Sequence, residues 1–402
     1  MKLKTRVFLS LITLGAFLSP AVYAQTFSVI HSFTGSDGAY PEAGVTIRAG
    51  SLYGTTSAGG SNSAGTVYQS MPVGPNWFTL PIFSFNGSDG EVPMGRVIFG
   101  PDGHPYGTTQ IGGGENAGLV FDLIPPLTIC KTASCPWKQN IVYTFQGHDD
   151  GQEPSGDLVF DQQGNIYGTT FAGGNPSAGT VYELMPPIPP NNKWTKTILH
   201  NFMFSDGANP KSGVILDGNG NLFGTTSQGG SDGNNGTVFE LINGTWEEKI
   251  LYNFQNGNDG RSPVAGLAFD SSGNLFGATA WGGSGGGGTV FELSPQGDSW
   301  VFTLLYSFSG EVNCGPNASL DFGPDGALYG TTNCDGAHGL GNVFKLANTQ
   351  NGWVYTSLYD FTGGSDGSEP VSNVAFDANG NLYGTTEYGG SSNRGVVWMI
   401  KP

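Results

Sequence analysis

Short apolar runs follow one another along the whole chain, each closed by glycine, asparagine, aspartate or proline. Around Phe223 they read "GVILD", "NLFGTT", "GTVFELI" and "WEEKILYNF". Valine, isoleucine, phenylalanine and tyrosine fill the runs, and turn-forming residues fill the gaps, so each run reads as a β-strand. No stretch after residue 24 sustains the three-and-four spacing of an amphipathic helix, so helices should be few.

These strands recur in sets of four. The aromatic that precedes each Gly-Thr or Gly-Ala pair serves as a ruler: Tyr53, Tyr106, Tyr167, Phe223, Phe276, Tyr329 and Tyr383, at intervals of 53, 61, 56, 53, 53 and 54 residues. Seven four-stranded units of this period predict an all-β fold, a seven-bladed β-propeller with four antiparallel strands per blade. A β-solenoid is the alternative, but its repeat is usually shorter and would not supply a four-strand meander. The run "TFSVIHSF" near the N-terminus is of the outer-strand type, and the last unit ends on a third-strand run, "GVVWMIK". Residues 26–33 are therefore expected to complete the blade made by 372–400 and close the ring. The repeated "GNLYGTT" is the second strand with its flanking turns, and its glycines, such as Gly164 in "FDQQGN" and the pair Gly173-Gly174, are expected at positive φ.

Composition adds a compartment and excludes one class of partner. Lys2, Lys4 and Arg6 precede the apolar run "VFLSLITLGAFL", with small residues at Val22 and Ala24, which reads as a signal peptide over 1–24. The mature domain is then 25–402. The formal net charge is -17, and removal of three cationic residues takes it to -20, so nucleic acid is not an expected partner. No later stretch is apolar enough to span a membrane, and a secreted or periplasmic monomer is expected.

The unit "FxGxDGxxP... LxFDxxGNLYGTTxxGGxxxxGTVFEL" resembles the GloVer tandem repeat of bacterial surface and secreted proteins described as choice-of-anchor. The resemblance covers essentially the whole mature chain. It implies a propeller-like repeat fold and an extracytoplasmic location, without implying an activity. No anchoring segment follows the last strand before Pro402, so release into the periplasm or medium is expected.

Candidate chemistry must be separated from architecture. Asp37, Asp89, Asp150, Asp206, Asp259 and Asp366 each precede glycine. They read either as an acidic ring for cations or sugar hydroxyls, or as turns closed by their own aspartates. The turn reading is preferred, because chemistry rarely needs one residue so often. The threonine pairs, from Thr55-Thr56 to Thr385-Thr386, have the same two readings, with strand propensity and inter-blade hydrogen bonding preferred. Asymmetry is a better guide to a site. The residues after the threonines vary between blades and include Phe171, Trp281 and Tyr388 as stacking surfaces, and Gln110, Gln228, Asn333 and Glu387 as hydrogen-bonding groups. Aromatic platforms flanked by amides suit a sugar ring. The sequence thus points to a binding module for a glycan or a surface protein. The alternatives are a carbohydrate-active lyase or hydrolase drawing carboxylates from Glu115, Asp335 and Glu387, and a structural envelope protein. There is no nucleophile elbow and no zinc motif, the histidines are scattered, and no cofactor is expected.

Four cysteines in a secreted chain invite disulfides. Cys130 and Cys135 share one insertion between third and outer strands. Cys314 and Cys334 fall in one blade on one face. The expected pairs are Cys130 with Cys135 and Cys314 with Cys334.

Overall fold

A computed structural model describes residues 25–126, 137–310 and 314–402. The expected signal peptide and the Cys130–Cys135 pair lie outside the described residues. Seven four-stranded antiparallel sheets, spanning 46–84, 98–144, 159–201, 215–253, 268–307, 321–360 and 375–401, form the seven blades. The seventh takes its outer strand from the N-terminus: Thr26–Ser32 pairs antiparallel with Val396–Lys401, with Thr26 opposite Lys401 and Ser32 opposite Val396. The ring is closed as the strand-type count predicted. A single 3-10 turn, His148–Asp150, is the only helical segment among the described residues.

Apolar cores lie between neighbouring blades. One contains Tyr167, Val181 and Phe202 of the third blade with Leu222, Phe239 and Leu241 of the fourth. The ruler aromatics are wedges in these cores, and all but Tyr329 are met by a tryptophan from the outer-strand segment of the next blade. Trp194 sits edge-on to Tyr106 at 6.4 Å, Trp300 to Phe223 at 6.2 Å, and Trp77 to Tyr383 across the ring closure at 6.0 Å.

The glycine after each ruler aromatic has a different task from the turn glycines. Gly224 lies directly across the ladder from Phe239, and Gly277 from Phe291. A Cβ at Gly224 would fall 2.6 Å from the Phe239 ring. The second strand is thus bare at one position so that a third-strand aromatic can lie across it. Tyr68 and Tyr182 occupy that aromatic position in two blades, and their hydroxyls are buried without a hydrogen-bond partner. A buried hydroxyl without a partner carries an uncompensated desolvation cost. Tyr182→Phe is therefore expected to raise unfolding free energy by about 1 kcal/mol in a urea titration, and a loss of stability would contradict this account.

The threonines divide the work. The first of each pair ties its blade to the next: Thr55 donates to the Gly95 carbonyl at 3.1 Å, Thr169 to Ser212 at 2.7 Å, and Thr385 to Ala43 at 3.0 Å across the closure. Where the fifth blade has Ala278 instead, the Ser319 hydroxyl accepts from the Gly266 amide at 3.0 Å and joins blades five and six. In four blades the second threonine meets a third-strand hydroxyl of its own blade, as in Thr170 with Thr180 at 2.8 Å. Inter-blade hydrogen bonding is what the first threonines do.

The Asp-Gly loops also follow the architectural reading. The Thr34, Asn86, Gln146, Met203, Gln255 and Thr362 amides each donate to the aspartate of their own loop at 2.7 to 2.8 Å. Burial opposes ionisation of Asp37, but His31 and the Thr34 amide outweigh it and hold the carboxyl at about 2.

Candidate functional site

Each blade is entered through a proline: Pro41, Pro93, Pro154, Pro210, Pro263, Pro316 and Pro370. The first and third residues after each proline line an axial cavity of about 560 Å³. Alternate residues of an extended segment share a face, so a period of two brings both positions to the axis. The third position forms a waist that is glycine in three blades, Gly44, Gly213 and Gly266, and polar in the others.

At the waist, Arg96 reaches into the channel. Its amide and its Nε donate to the two oxygens of Asp157 in the next blade, each at 2.7 Å. The Asn373 amide of the seventh blade lies against both the Arg96 guanidinium and the Asp321 carboxylate of the sixth. Burial pushes the Asp321 carboxyl above its usual range, against the opposing pull of Arg96 and Asn373. Desolvation works against the Arg96 charge, but the fields of Asp157 and Asp321 win and hold the guanidinium firmly cationic. Four blades are thereby joined by one charge network across the axis.

Beside this network the cavity carries Glu42, Ser155, Lys211 and Asn317 from the first position after proline. It also takes Glu369, Glu387 and Asn333 from the seventh and sixth blades. Burial raises the Glu42 carboxyl, the Ser57 hydroxyl opposes the shift, and the charge of Glu387 adds to it. Glu369 is likewise raised, first by burial and then by Glu387. Three carboxylates therefore share one field, with Lys211 as the counter-charge acting on Glu42. The Asn333 Oδ1 is buried and has no hydrogen-bond partner. Its neighbour Cys334 is joined to Cys314, with Cα atoms 4.5 Å apart, so the expected crosslink of the sixth blade anchors the cavity wall at Asn333.

Of the seven residues singled out in the sequence, Asn333 and Glu387 line the cavity. Phe171, Trp281, Tyr388, Gln110 and Gln228 are not part of its wall. Trp281, Tyr388 and Gln228 stand one position further along, where the backbone bridges to Arg261, Ser368 and Ala208 of the preceding loop. Trp281 lies under the Arg261 guanidinium at 4.4 Å, and Tyr388 meets Tyr40 at 5.4 Å. Phe171 and Gln110 share the register of Glu387, yet the wall of their blades is formed by Ser155, Asp157, Met94 and Arg96. Among the carboxylates considered for catalysis, Glu115 is exposed, Asp335 lies off the wall, and Glu387 alone is in the cavity. Glu42, Glu369, Arg96, Asp157 and Lys211 had not been singled out. The signal was present: aligning the seven prolines shows charge at the first position and loss of glycine or serine at the third.

A family model described as the Gloeobacter/Verrucomicrobia repeat matches residues 14–234, 128–308 and 212–402. No curated protein matches the chain significantly. Among solved structures, a protein from Bacteroides uniformis ATCC 8492 described as a 6-phosphogluconolactonase is similar at 14% identity and a TM-score of 0.51, over 79% of this chain and 84% of that one. A protein from Thermus thermophilus described as an oxidoreductase (glucose dehydrogenase) is similar at 16% identity and a TM-score of 0.47, over 78% and 97% of the two chains. At these identities the likeness concerns the fold alone.

Proposed function

The chain belongs to the Gloeobacter/Verrucomicrobia repeat family, and from that premise we propose an extracytoplasmic binding propeller that takes a carbohydrate, free or on a surface component, into its axial cavity. One observation carries this reading. Polar side chains from several blades converge on a cavity of about 560 Å³ at the positions where the repeat is broken, a volume in the range of small-molecule sites. Carboxylate and amide groups such as Glu387, Glu42 and the unpartnered Asn333 Oδ1 suit the hydroxyl donors of a sugar. The signal-like N-terminus and the Cys314–Cys334 disulfide support an exported protein. No helix among the described residues is long and apolar enough to cross a membrane.

A second reading has its own support. Glu42, Glu369 and Glu387 share a cavity, and burial together with Glu387 raises Glu42. Two carboxyl groups held in one cavity in different environments are the arrangement used for general acid and base work on glycosidic bonds. On this reading the bound glycan is also cut.

The test is a glycan-array screen of residues 25–402 with Asn333→Ala, Glu387→Gln and Trp281→Ala variants. The two cavity variants are expected to weaken binding at least about 10-fold, the equivalent of one lost hydrogen bond near 1.4 kcal/mol, while Trp281→Ala binds as the wild type. Silence across the array, or loss only in Trp281→Ala, would remove the axial cavity from the reading. Product release from the bound glycan, abolished in Glu42→Gln, would select the enzymatic form.

A further inference from the structure

The outer strands carry a second repeated contact, distant in character from the axis. Six residues after its tryptophan, an outer strand usually places a tyrosine or histidine that reaches the aspartate of the following Asp-Gly loop. Tyr143 donates to Asp150 at 2.8 Å and Tyr359 to Asp366 at 3.1 Å. In the N-terminal strand, His31 is 2.8 Å from Asp37, a hydrogen bond. The next blade covers this ring with one side chain: Phe302 stacks on Tyr252 at 4.4 Å, Tyr355 on Tyr306 at 4.6 Å and Phe27 on Tyr359 at 3.7 Å.

Between the third and fourth blades both partners are changed. The ring is His200 and the covering residue is Glu248. The His200 Nε2 stands 3.3 Å from Asp206 Oδ2 and 3.4 Å from Glu248 Oε2, and the three ligand atoms lie within 4.8 Å of one another. Neither His200 Nε2 nor Glu248 Oε1 has a hydrogen-bond partner, and the Glu248 side chain is only 9% exposed. An imidazole and two carboxylates have thus opened to a spacing wider than that of the His31–Asp37 hydrogen bond, in a place where an unmet polar atom is costly.

We propose that His200, Asp206 and Glu248 form a zinc site that clamps the third blade to the fourth. Zinc bonds of about 2.0–2.1 Å to nitrogen and oxygen give tetrahedral edges of about 3.3–3.4 Å, the spacing found on both measured sides. The orientation of the donors is set from behind. The Met203 amide holds Asp206 Oδ1 at 2.7 Å and leaves Oδ2 for the ion, while Phe202 fixes the imidazole by an edge contact at 4.9 Å. His200 and Asp206 remain 17% and 21% exposed, which leaves the fourth position to water. The other such cluster among the described residues, Asp102, His104 and Asp122, is a closed hydrogen-bonded set instead. His104 Nδ1 is 3.1 Å from each carboxylate, and Tyr106 and Asn140 donate to Asp102 and Asp122.

The test uses metal-free protein of residues 25–402, without a histidine tag, titrated with Zn²⁺ by calorimetry and thermal unfolding. Binding at this site is expected to raise the melting temperature. Glu248→Gln and His200→Gln are expected to weaken it at least about 10-fold, and His104→Gln should leave it unchanged. Absence of Zn²⁺ binding at micromolar concentration would overturn the proposal, as would a folded Glu248→Gln variant that binds like the wild type. Should these variants fail to fold, X-ray absorption of the wild-type zinc protein decides. One imidazole nitrogen with oxygens at about 2.0–2.2 Å supports the site, and a shell of oxygens alone or of several imidazoles overturns it.

Discussion

Arg96→Met is expected to lower unfolding free energy by about 3 kcal/mol at pH 7, the low end of the range for breaking a buried pair. The charged network at the waist predicts both the size and the pH dependence of this loss. Arg96 keeps 26% of its side-chain surface, and that surface faces a cavity enclosed by the ring. Removing the guanidinium takes the Nε donor at 2.7 Å from Asp157, which keeps only the bond from the backbone amide, and leaves Asp321 without the charge that counters its desolvation. The sign with pH follows from Asp321, whose folded carboxyl is already raised by burial. Without Arg96 it rises further, so the folded variant takes up a proton that the unfolded chain, near the ordinary 3.8, releases. The deficit is therefore larger at neutral pH and shrinks as the pH falls toward the unfolded value. Urea titrations of wild type and variant at pH 7.5 and pH 4 measure the two deficits. A deficit that stays constant or grows on acidification would exclude Asp321 as the group left exposed to the loss.

The same substitution separates support from function. Glu387 and Asn333 stand in the wall without belonging to the network at the waist. Ligand binding that survives Arg96→Met in the folded fraction places recognition beside Glu387, whereas its loss places Arg96 itself among the groups that hold the ligand.

What the sequence made legible was everything the repeat states more than once. Four apolar runs per period, bounded by turn residues, determined the strands. The unmatched outer-type run at residues 26–33 determined the closure observed between Thr26–Ser32 and Val396–Lys401. The Cys314–Cys334 pair was legible because the period placed both residues on one face of one blade. Of the axial cavity only Asn333 and Glu387 were named from the sequence, and the rest of its wall was not read, for a physical reason. The inner strands are only two or three residues long, as in Ile215–Leu216, and the wall is built mostly by irregular segments just before them, which carry no strand signature. Variation after the threonine pairs drew attention to Trp281 and Glu387 alike. In a strand with a side-chain period of two, one position decides between facing the axis and facing the loop, and of these two Glu387 fell on the cavity side, as Asn333 did in the sixth blade.

Gly277→Ala tests whether the recurrent second-strand glycine is demanded by packing or merely tolerated. On backbone entropy alone, the change stabilises by about 0.4–1 kcal/mol, because alanine restricts the unfolded chain, and Gly277 is not among the positive-φ residues. Packing argues the reverse. The new Cβ would stand 2.5 Å from the Phe291 ring and 2.9 Å from Leu267, both buried in the core between the fourth and fifth blades. Neither neighbour has room to retreat, and overpacking of this kind costs about 1–3 kcal/mol. The net expectation is a loss of about 2 kcal/mol, measured by urea unfolding. Phe291→Leu removes the clashing ring, so in the double variant the loss should fall short of the sum of the singles by at least about 1 kcal/mol, since the two sites are in contact. Gly218→Ala provides the internal reference. That glycine has nothing within 4 Å of a built Cβ and is not among the positive-φ residues, so its replacement should be neutral or mildly stabilising. A stabilised Gly277→Ala would mean that the glycine in this strand is a matter of entropy and not of the aromatic that crosses it.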